Sequence, residues 1–161
     1  MIRLFVSDLD GTLLNDKGTL DPEFFVLLEK LKEKNILFAV ATGRQVPNVL
    51  ELFASVINDV LIIAENGAYV SYKGEELFTA PIPKEQVKEL IKCTELIPET
   101  AIFLCCKEVG YLNNNSKKMN EIGDFYGVIS KYEEDISLVE DDVLKFAVCN
   151  FINAKTNALP I

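Results

Sequence analysis

Three short apolar segments, each ending in polar or glycine residues, constrain the fold of this chain more than any other feature. They cover residues 2–6, 36–41 and 60–64, and each is too short for a helix. Apolar runs of this length are typical of strands that are covered on both faces, as in a parallel sheet. Amphipathic helices are predicted in the two intervals between them, and Asp21-Pro22, an N-cap residue followed by proline, predicts where the first helix begins. The pattern is therefore βαβαβ, an α/β fold with right-handed crossovers.

The first strand delivers two carboxylates to one turn. Asp8-Leu9-Asp10-Gly11-Thr12 follows it directly, with the two aspartates two residues apart. Residues two apart in an extended segment point the same way, so Asp8 and Asp10 are expected to converge on one point. Neighbouring carboxylates repel each other unless a cation or a proton lies between them. Oxygen ligands of this kind suit a hard divalent cation.

The other two strands end in turns that also suit a ligand. Thr42-Gly43-Arg44 follows the second strand and Asn66-Gly67 follows the third. In open parallel sheets, ligands bind at the carboxyl ends of the strands. The three turns are therefore expected to meet in one crevice.

Each of these turns has a structural alternative. The two aspartates can be a turn residue and a helix cap, and Thr42-Gly43 can be a simple strand-to-helix turn. Arg44 either faces a substrate or pairs with one of the many acidic side chains. Asn66-Gly67 is also a common type I′ hairpin turn.

Composition narrows the function. The 161 residues include 25 acidic and 16 basic residues, no histidine, and no basic patch. This balance argues against nucleic acid or an anionic membrane as a partner. The lack of histidine excludes His-dependent triads and most zinc sites. The first apolar run is too short for a signal peptide or a membrane span, so a cytoplasmic protein is expected.

The pattern changes after the third strand. A β-hairpin around Lys73-Gly74 is followed by Pro81 and Pro83, which mark a boundary. Beyond them, a helix over residues 84–94, strands at 101–106, 128–132 and 143–151, and a helix ending near Phe125 are predicted. The chain is thus expected to have two domains, residues 1–81 and 82–161.

Three stretches carry a family resemblance, and they are Asp8-Leu9-Asp10-Gly11-Thr12-Leu13-Leu14, Ala41-Thr42-Gly43-Arg44 and Glu65-Asn66-Gly67-Ala68. Together they resemble the haloacid dehalogenase (HAD) superfamily, and more narrowly its Cof-type sugar-phosphatase branch. The resemblance implies a Rossmann-like parallel-sheet core, present here as its N-terminal part only, with a partial α/β cap domain inserted after the third strand.

The resemblance also implies a mechanism and a substrate class. Asp8 would attack phosphorus and form an aspartyl-phosphate, while Asp10 would act as general acid and base. Mg²⁺ would be held by the Asp8 carboxylate and the Asp10 main-chain carbonyl, and the substrate would be a small phosphorylated metabolite. The phosphate would be bound by Gly11, Thr12, Thr42, Gly43, Arg44, Asn66 and Gly67.

Two motifs of the family have no counterpart in this sequence. The lysine that follows the cap has none, and Gly123-Asp124 lacks the Asn-Asp pair of the late acidic motif. The resemblance therefore implies the first part of a phosphatase, ending inside the cap. Strand 2–6 would then lie at an open sheet edge, through which the chain could form an oligomer.

Three functions stay open on these residues. The first is a magnesium-dependent phosphatase, and the second is a remnant or fragment without activity, which the missing motifs favour. The third is phosphotransfer to a second sugar hydroxyl, as in phosphomutases. A signalling receiver domain also phosphorylates an aspartate after a strand, but the Asp-x-Asp-Gly-Thr order and the hairpin argue against it.

Overall fold

The computed structural model describes residues 2–114, 116–126 and 128–157, which divide into two compact units. The first unit comprises Met1–Ala80 and the second Pro81–Ile161. The interpretation of these units as part of a core and part of a cap stays a prediction. The outermost residues of the two predicted domains, Met1 and residues 158–161, lie outside the described residues, as does Asn115 at the start of the predicted second-domain helix.

The first unit is built on a five-stranded sheet in the order β1-β2-β3-β4-β5. Strands β1, β2 and β3 are parallel, as the sequence predicts, and the hairpin β4–β5 extends the sheet in antiparallel fashion. The elements are β1 Leu4–Ser7, α1 Pro22–Glu33, β2 Leu37–Ala41, α2 Val46–Leu52, β3 Val60–Ala64, β4 Tyr69–Tyr72 and β5 Glu75–Thr79.

Helix α1 begins as the sequence predicts and is fixed by an aromatic cluster. The Asp21 carboxylate accepts a hydrogen bond from the N–H of Glu23 at 2.8 Å, which caps the helix ahead of its first proline. Phe24, on the buried face, lies with its ring centroid 5.2 Å from Phe38 of β2 and 5.9 Å from Phe53 after α2, both edge-to-face. All three rings are buried, so they join both helical segments to strand β2.

Strand β1 is not covered in the way its apolar sequence suggests. Among the strands that the structure describes, it lies at the edge of the sheet and pairs only with β2. Leu4, Phe5 and Val6 remain 49%, 49% and 48% exposed, so the interpretation of this segment as a fully buried strand is wrong. The exposed edge expected from the family resemblance is present instead.

The second unit is a mixed α/β unit around a four-stranded sheet in the order β8-β7-β6-β9. Strand β6 lies inside this sheet, and its side chains alternate between two apolar clusters, one containing Ile102 and Leu104 and the other containing Phe103 and Cys105. The elements are α3 Lys84–Glu95, β6 Thr100–Cys106, β7 Gly110–Leu112, α4 Lys117–Tyr126, β8 Ser130–Tyr132, β9 Val143–Asn150 and α5 Ala154–Asn157. Among the helices described in either unit, none is long and apolar enough to cross a bilayer.

The aromatic cluster makes a stability prediction. Phe24→Ala should lower the free energy of unfolding by about 3–5 kcal/mol, because it leaves a cavity between Phe38 and Phe53. Leu27→Ala, on the same helix but 50% exposed, should cost less than about 1 kcal/mol. Urea unfolding followed by circular dichroism measures both, and equal losses for the two variants would contradict the central role of Phe24.

Candidate active site

The turn after β1 is organised around Asp8. The Asp8 carboxylate accepts a hydrogen bond from the N–H of Leu9 at 2.7 Å, and the fully buried Leu9 side chain anchors the turn. The turn closes where the N–H of Leu14 donates to the Leu9 carbonyl at 3.0 Å. Asp8 itself is exposed, so one of its oxygens is oriented by the main chain while the side chain remains accessible.

Gly11 provides the left-handed backbone conformation of this turn. Its φ is +74°, in the left-handed region that favours glycine, and a Cβ placed there would meet nothing within 4 Å. Backbone conformation, rather than lack of space, therefore explains the glycine. Thr12 follows it on the same turn and is exposed.

Thr42 links the turns that follow β2 and β3. Its N–H donates to the Ile63 carbonyl at 2.9 Å, and its own carbonyl accepts from the N–H of Asn66 at 3.1 Å. Its hydroxyl accepts from the N–H of Arg44 at 3.1 Å. Thr42 is buried, so these three bonds hold the ends of β2 and β3 in one arrangement.

The turn after β3 touches the turn after β2 closely. A Cβ on Gly43 would lie 2.6 Å from the Asn66 Oδ1, closer than real contacts allow, so any other residue at position 43 would require the Asn66 side chain to move. Asn66 and Gly67 have positive φ values of 57° and 95°. Both lie in the loop that connects the antiparallel strands β3 and β4. This loop has four residues, because the last paired residues are Ala64 and Tyr69. The structural alternative of a two-residue type I′ turn is therefore wrong.

Residues from all three turns line one open cleft of about 540 Å³. Five of the residues singled out from the sequence lie there, joined by two strand-end residues. The lining consists of Asp8, Ala41, Thr42, Gly43, Ile63, Asn66 and Gly67. Asp10, Gly11, Thr12 and Arg44 lie on the same turns but do not line this cleft. Ala41 and Ile63 were not singled out, because apolar strand ends carry no signal that distinguishes cleft walls from core.

Arg44 pairs with Asp10. Its Nη2 lies 2.7 Å from Asp10 Oδ1 and its Nε lies 3.0 Å from Oδ2, a bidentate arrangement between residues 34 positions apart. The hydrogen bond to Asp10 raises the pKa of the Arg44 guanidinium. Arg44 thus has an acidic partner in this structure, the second aspartate of the first turn, while its contact with a substrate phosphate stays a prediction. The sequence carried no signal for this particular partner.

The chain offers oxygen ligands for a hard cation, but few of them. Within the described residues, no group of three or more Asp, Glu, Cys or His side chains gathers into a metal centre. Both Asp10 oxygens are engaged by Arg44, which leaves the Asp8 carboxylate and main-chain carbonyls of the turn. Mg²⁺ commonly binds through one or two protein oxygens and completes its shell with water and substrate phosphate, so this small donor set fits it.

Comparisons with known proteins agree with the architecture. A family model for haloacid dehalogenase-like hydrolases matches residues 5–159. The 5-amino-6-(5-phospho-D-ribitylamino)uracil phosphatase of Escherichia coli is 28% identical over 149 residues, 91% of this chain and 55% of that protein. A solved structure from Eubacterium rectale superposes with a TM-score of 0.86 at 27% identity, over 99% of this chain and 62% of that one.

A solved HAD subclass IIB sugar phosphatase shares the fold, with a TM-score of 0.68 at 23% identity over 89% of this chain and 56% of its own. In open α/β sheets ligands bind at the carboxyl ends of the parallel strands, and the cleft of this chain lies at that edge. The chain belongs to the haloacid dehalogenase-like hydrolase family, and the resemblance to its Cof-type branch is confirmed. It spans 55% of the length of the Escherichia coli relative and 56% of the solved sugar phosphatase.

The close approach of Gly43 to Asn66 can be tested by a paired substitution. Gly43→Ala should destabilise the fold by about 1–3 kcal/mol, because its Cβ displaces the Asn66 side chain. Adding Asn66→Ala should restore most of this loss, since the clashing oxygen is then absent. Gly11→Ala serves as the matched control: its cost of about 1–3 kcal/mol comes from backbone strain and should not respond to Asn66→Ala. Thermal unfolding of the variants measures the difference, and equal responses at the two glycines would contradict the contact.

Proposed function

We propose that this chain carries the nucleophile and the phosphate-binding turns of a magnesium-dependent phosphatase for small phosphorylated metabolites. The observation that supports it best is the single cleft shared by Asp8, Thr42, Gly43, Asn66 and Gly67. Three separate segments contribute to this cleft, each at the carboxyl end of a parallel strand. An accessible carboxylate beside hydroxyl, amide and main-chain groups is suited to attack on a bound phosphoryl group.

In the proposed reaction, the Asp8 carboxylate forms a bond to phosphorus as the bond from phosphorus to the leaving oxygen breaks. Asp10 gives a proton to that oxygen, which departs as an alcohol. Water then attacks the phosphorus of the aspartyl-phosphate, Asp10 takes a proton from it, and Asp8 is released with inorganic phosphate. The hydrogen bond from Leu9 to Asp8 holds one carboxyl oxygen and so orients the other.

The phosphate ligands are proposed from their chemistry at the cleft. The Thr42 hydroxyl accepts from Arg44, and a hydroxyl that accepts one hydrogen bond can still donate its own proton to a phosphoryl oxygen. The turns at Gly11-Thr12, Gly43 and Asn66-Gly67 would supply further donors. Mg²⁺, held by the Asp8 carboxylate and the Asp10 main-chain carbonyl, would offset the negative charge of the phosphate.

The names of relatives support the substrate class. The Escherichia coli relative is a phosphatase of a phosphorylated ribitylamino-uracil, and a structural neighbour is a sugar phosphatase. A soluble metabolite as substrate, rather than nucleic acid or a membrane, agrees with the net charge of −9. We also propose that the protein is located in the cytoplasm.

Two other functions compete with it. A remnant or fragment without activity is favoured by the small number of metal ligands among the described residues. Phosphotransfer to a second hydroxyl uses the same aspartyl-phosphate, so only the product separates it from hydrolysis. Incubation with a hexose monophosphate distinguishes the two, because hydrolysis releases inorganic phosphate while transfer yields an isomeric sugar phosphate.

Turnover by the whole 161-residue chain tests the proposal. Release of phosphate from an aryl phosphate should require Mg²⁺ and fall at least about 100-fold in Asp8→Asn, which removes the nucleophile. Asp16→Asn, which removes the same charge from the exposed loop that follows, should retain the activity. If the folded chain releases no more phosphate than Asp8→Asn and also forms no isomeric sugar phosphate from a hexose monophosphate, the remnant is the correct interpretation.

We also propose that two copies associate through the β1 edge, where half-exposed apolar side chains lie on a strand with one free side. Leu4→Lys should reduce self-association, because a lysine on an edge strand disfavours pairing. Leu77→Lys, at a 58% exposed leucine on the opposite edge strand β5, is the matched control and should leave it unchanged. Light scattering across a concentration series measures both, and a wild-type chain that stays monomeric throughout would exclude this association.

A further inference from the structure

The ion pair between Arg44 and Asp10 is difficult to reconcile with a working Asp10. Both carboxyl oxygens of Asp10 accept hydrogen bonds from Arg44, at 2.7 and 3.0 Å. A carboxyl group that is to exchange a proton with a leaving or attacking oxygen must present one of its own oxygens to that atom. In the arrangement observed, the guanidinium takes one of the two acceptor sites of each oxygen and fixes the direction in which the carboxylate points. To turn an oxygen toward a reacting atom, Asp10 must therefore be released by Arg44 from at least one of these bonds.

A phosphoryl group in the neighbouring cleft is a suitable competitor for Arg44. The Arg44 N–H is already bonded to the hydroxyl of Thr42, which lines that cleft, so the main chain of Arg44 is held beside it. Phosphate accepts the guanidinium fork with the same bidentate geometry as a carboxylate and carries more negative charge. The side chain has room to change partner, since Asp10 is 58% exposed and Arg44 24%.

We propose that Arg44 is a positioning residue that exchanges partners, from Asp10 in the free protein to the phosphoryl oxygens of a bound substrate. Arrival of a phosphate then frees both oxygens of Asp10 to reach the reacting oxygens. In the free protein the guanidinium keeps Asp10 engaged. This inference rests on the proposed function, because it assigns to Asp10 the acid–base step.

The composition of the chain allows a direct spectroscopic test. Arg3 and Arg44 are the only arginines, so a protein labelled with ¹⁵N in arginine gives two Nε signals, and Arg3 serves as an internal reference. Asp10→Asn assigns the signal of Arg44 released from the carboxylate. Inorganic phosphate is then titrated at constant Mg²⁺ and ionic strength, and the main-chain amides of Thr42 and Gly43 report independently whether it binds.

Exchange predicts that saturating phosphate moves the Arg44 Nε signal of the wild-type chain away from its free position while the Arg3 signal stays in place. Phosphate affinity should fall about tenfold in Arg44→Met, the loss expected for a charge-assisted hydrogen bond, and Arg44→Lys should recover part of it. A purely structural pair predicts instead that phosphate binds with the Arg44 signal unmoved. That result overturns the exchange, as does a chain that binds no phosphate.

The NMR test of Arg44 and the turnover test of the proposed function can fail independently of each other. Turnover that depends on Asp8, together with an immobile Arg44 signal, would retain the phosphatase and remove the exchange. If phosphate moves the Arg44 side chain away from Asp10 but the chain shows no turnover, the exchange is supported and the phosphatase is not. The chain would then be a protein that only binds phosphate.

Discussion

The parallel pairing of β1, β2 and β3 is the constraint on which the rest of the first unit depends. Parallel strands end at the same edge of a sheet, so the three turns that follow them necessarily become neighbours. The pairing is fixed from within by β2, whose Phe38 is covered by Phe24 of α1. A register shift of one residue in β2 would turn Phe38 away from that cover and expose it. The same hydrophobic contact that stabilises the sheet therefore aligns the turns.

Hydrogen bonds then convert this alignment into a defined cleft. Thr42 bonds to Ile63, Arg44 and Asn66, and the absence of a side chain at Gly43 lets Asn66 come within reach. Three positive-φ residues in succession, Glu65, Asn66 and Gly67, let the chain reverse within four residues and enter β4. The hairpin and the cleft wall are consequently one piece of structure. A functional and a structural role for Asn66-Gly67 are thus compatible.

The sequence predicted those features that depend on local patterns. Apolar runs identified the strands, and Asp21 with its following proline identified the start of α1, because the hydrogen bond and the fixed φ act within a few residues. The burial of β1 was predicted wrongly, since an apolar run does not reveal on how many sides a strand is paired. The pair of Arg44 with Asp10 was also beyond prediction. Many acidic side chains were equally plausible partners, and the choice depends on how two turns 34 residues apart are placed by the sheet.

The position of β1 has a consequence for the chemistry proposed at Asp8. A nucleophile must be held within a fraction of an ångström of its productive geometry, which usually requires support from several sides. Here the strand that carries Asp8 is supported by β2 on one side only, and the buried Leu9 anchors the turn that follows. The ion pair between Arg44 and Asp10 is a second connection, because it links the turn after β2 to the turn after β1. In the free protein this ion pair therefore compensates for part of the support that an edge strand lacks, at the cost of occupying the carboxylate that the reaction would need.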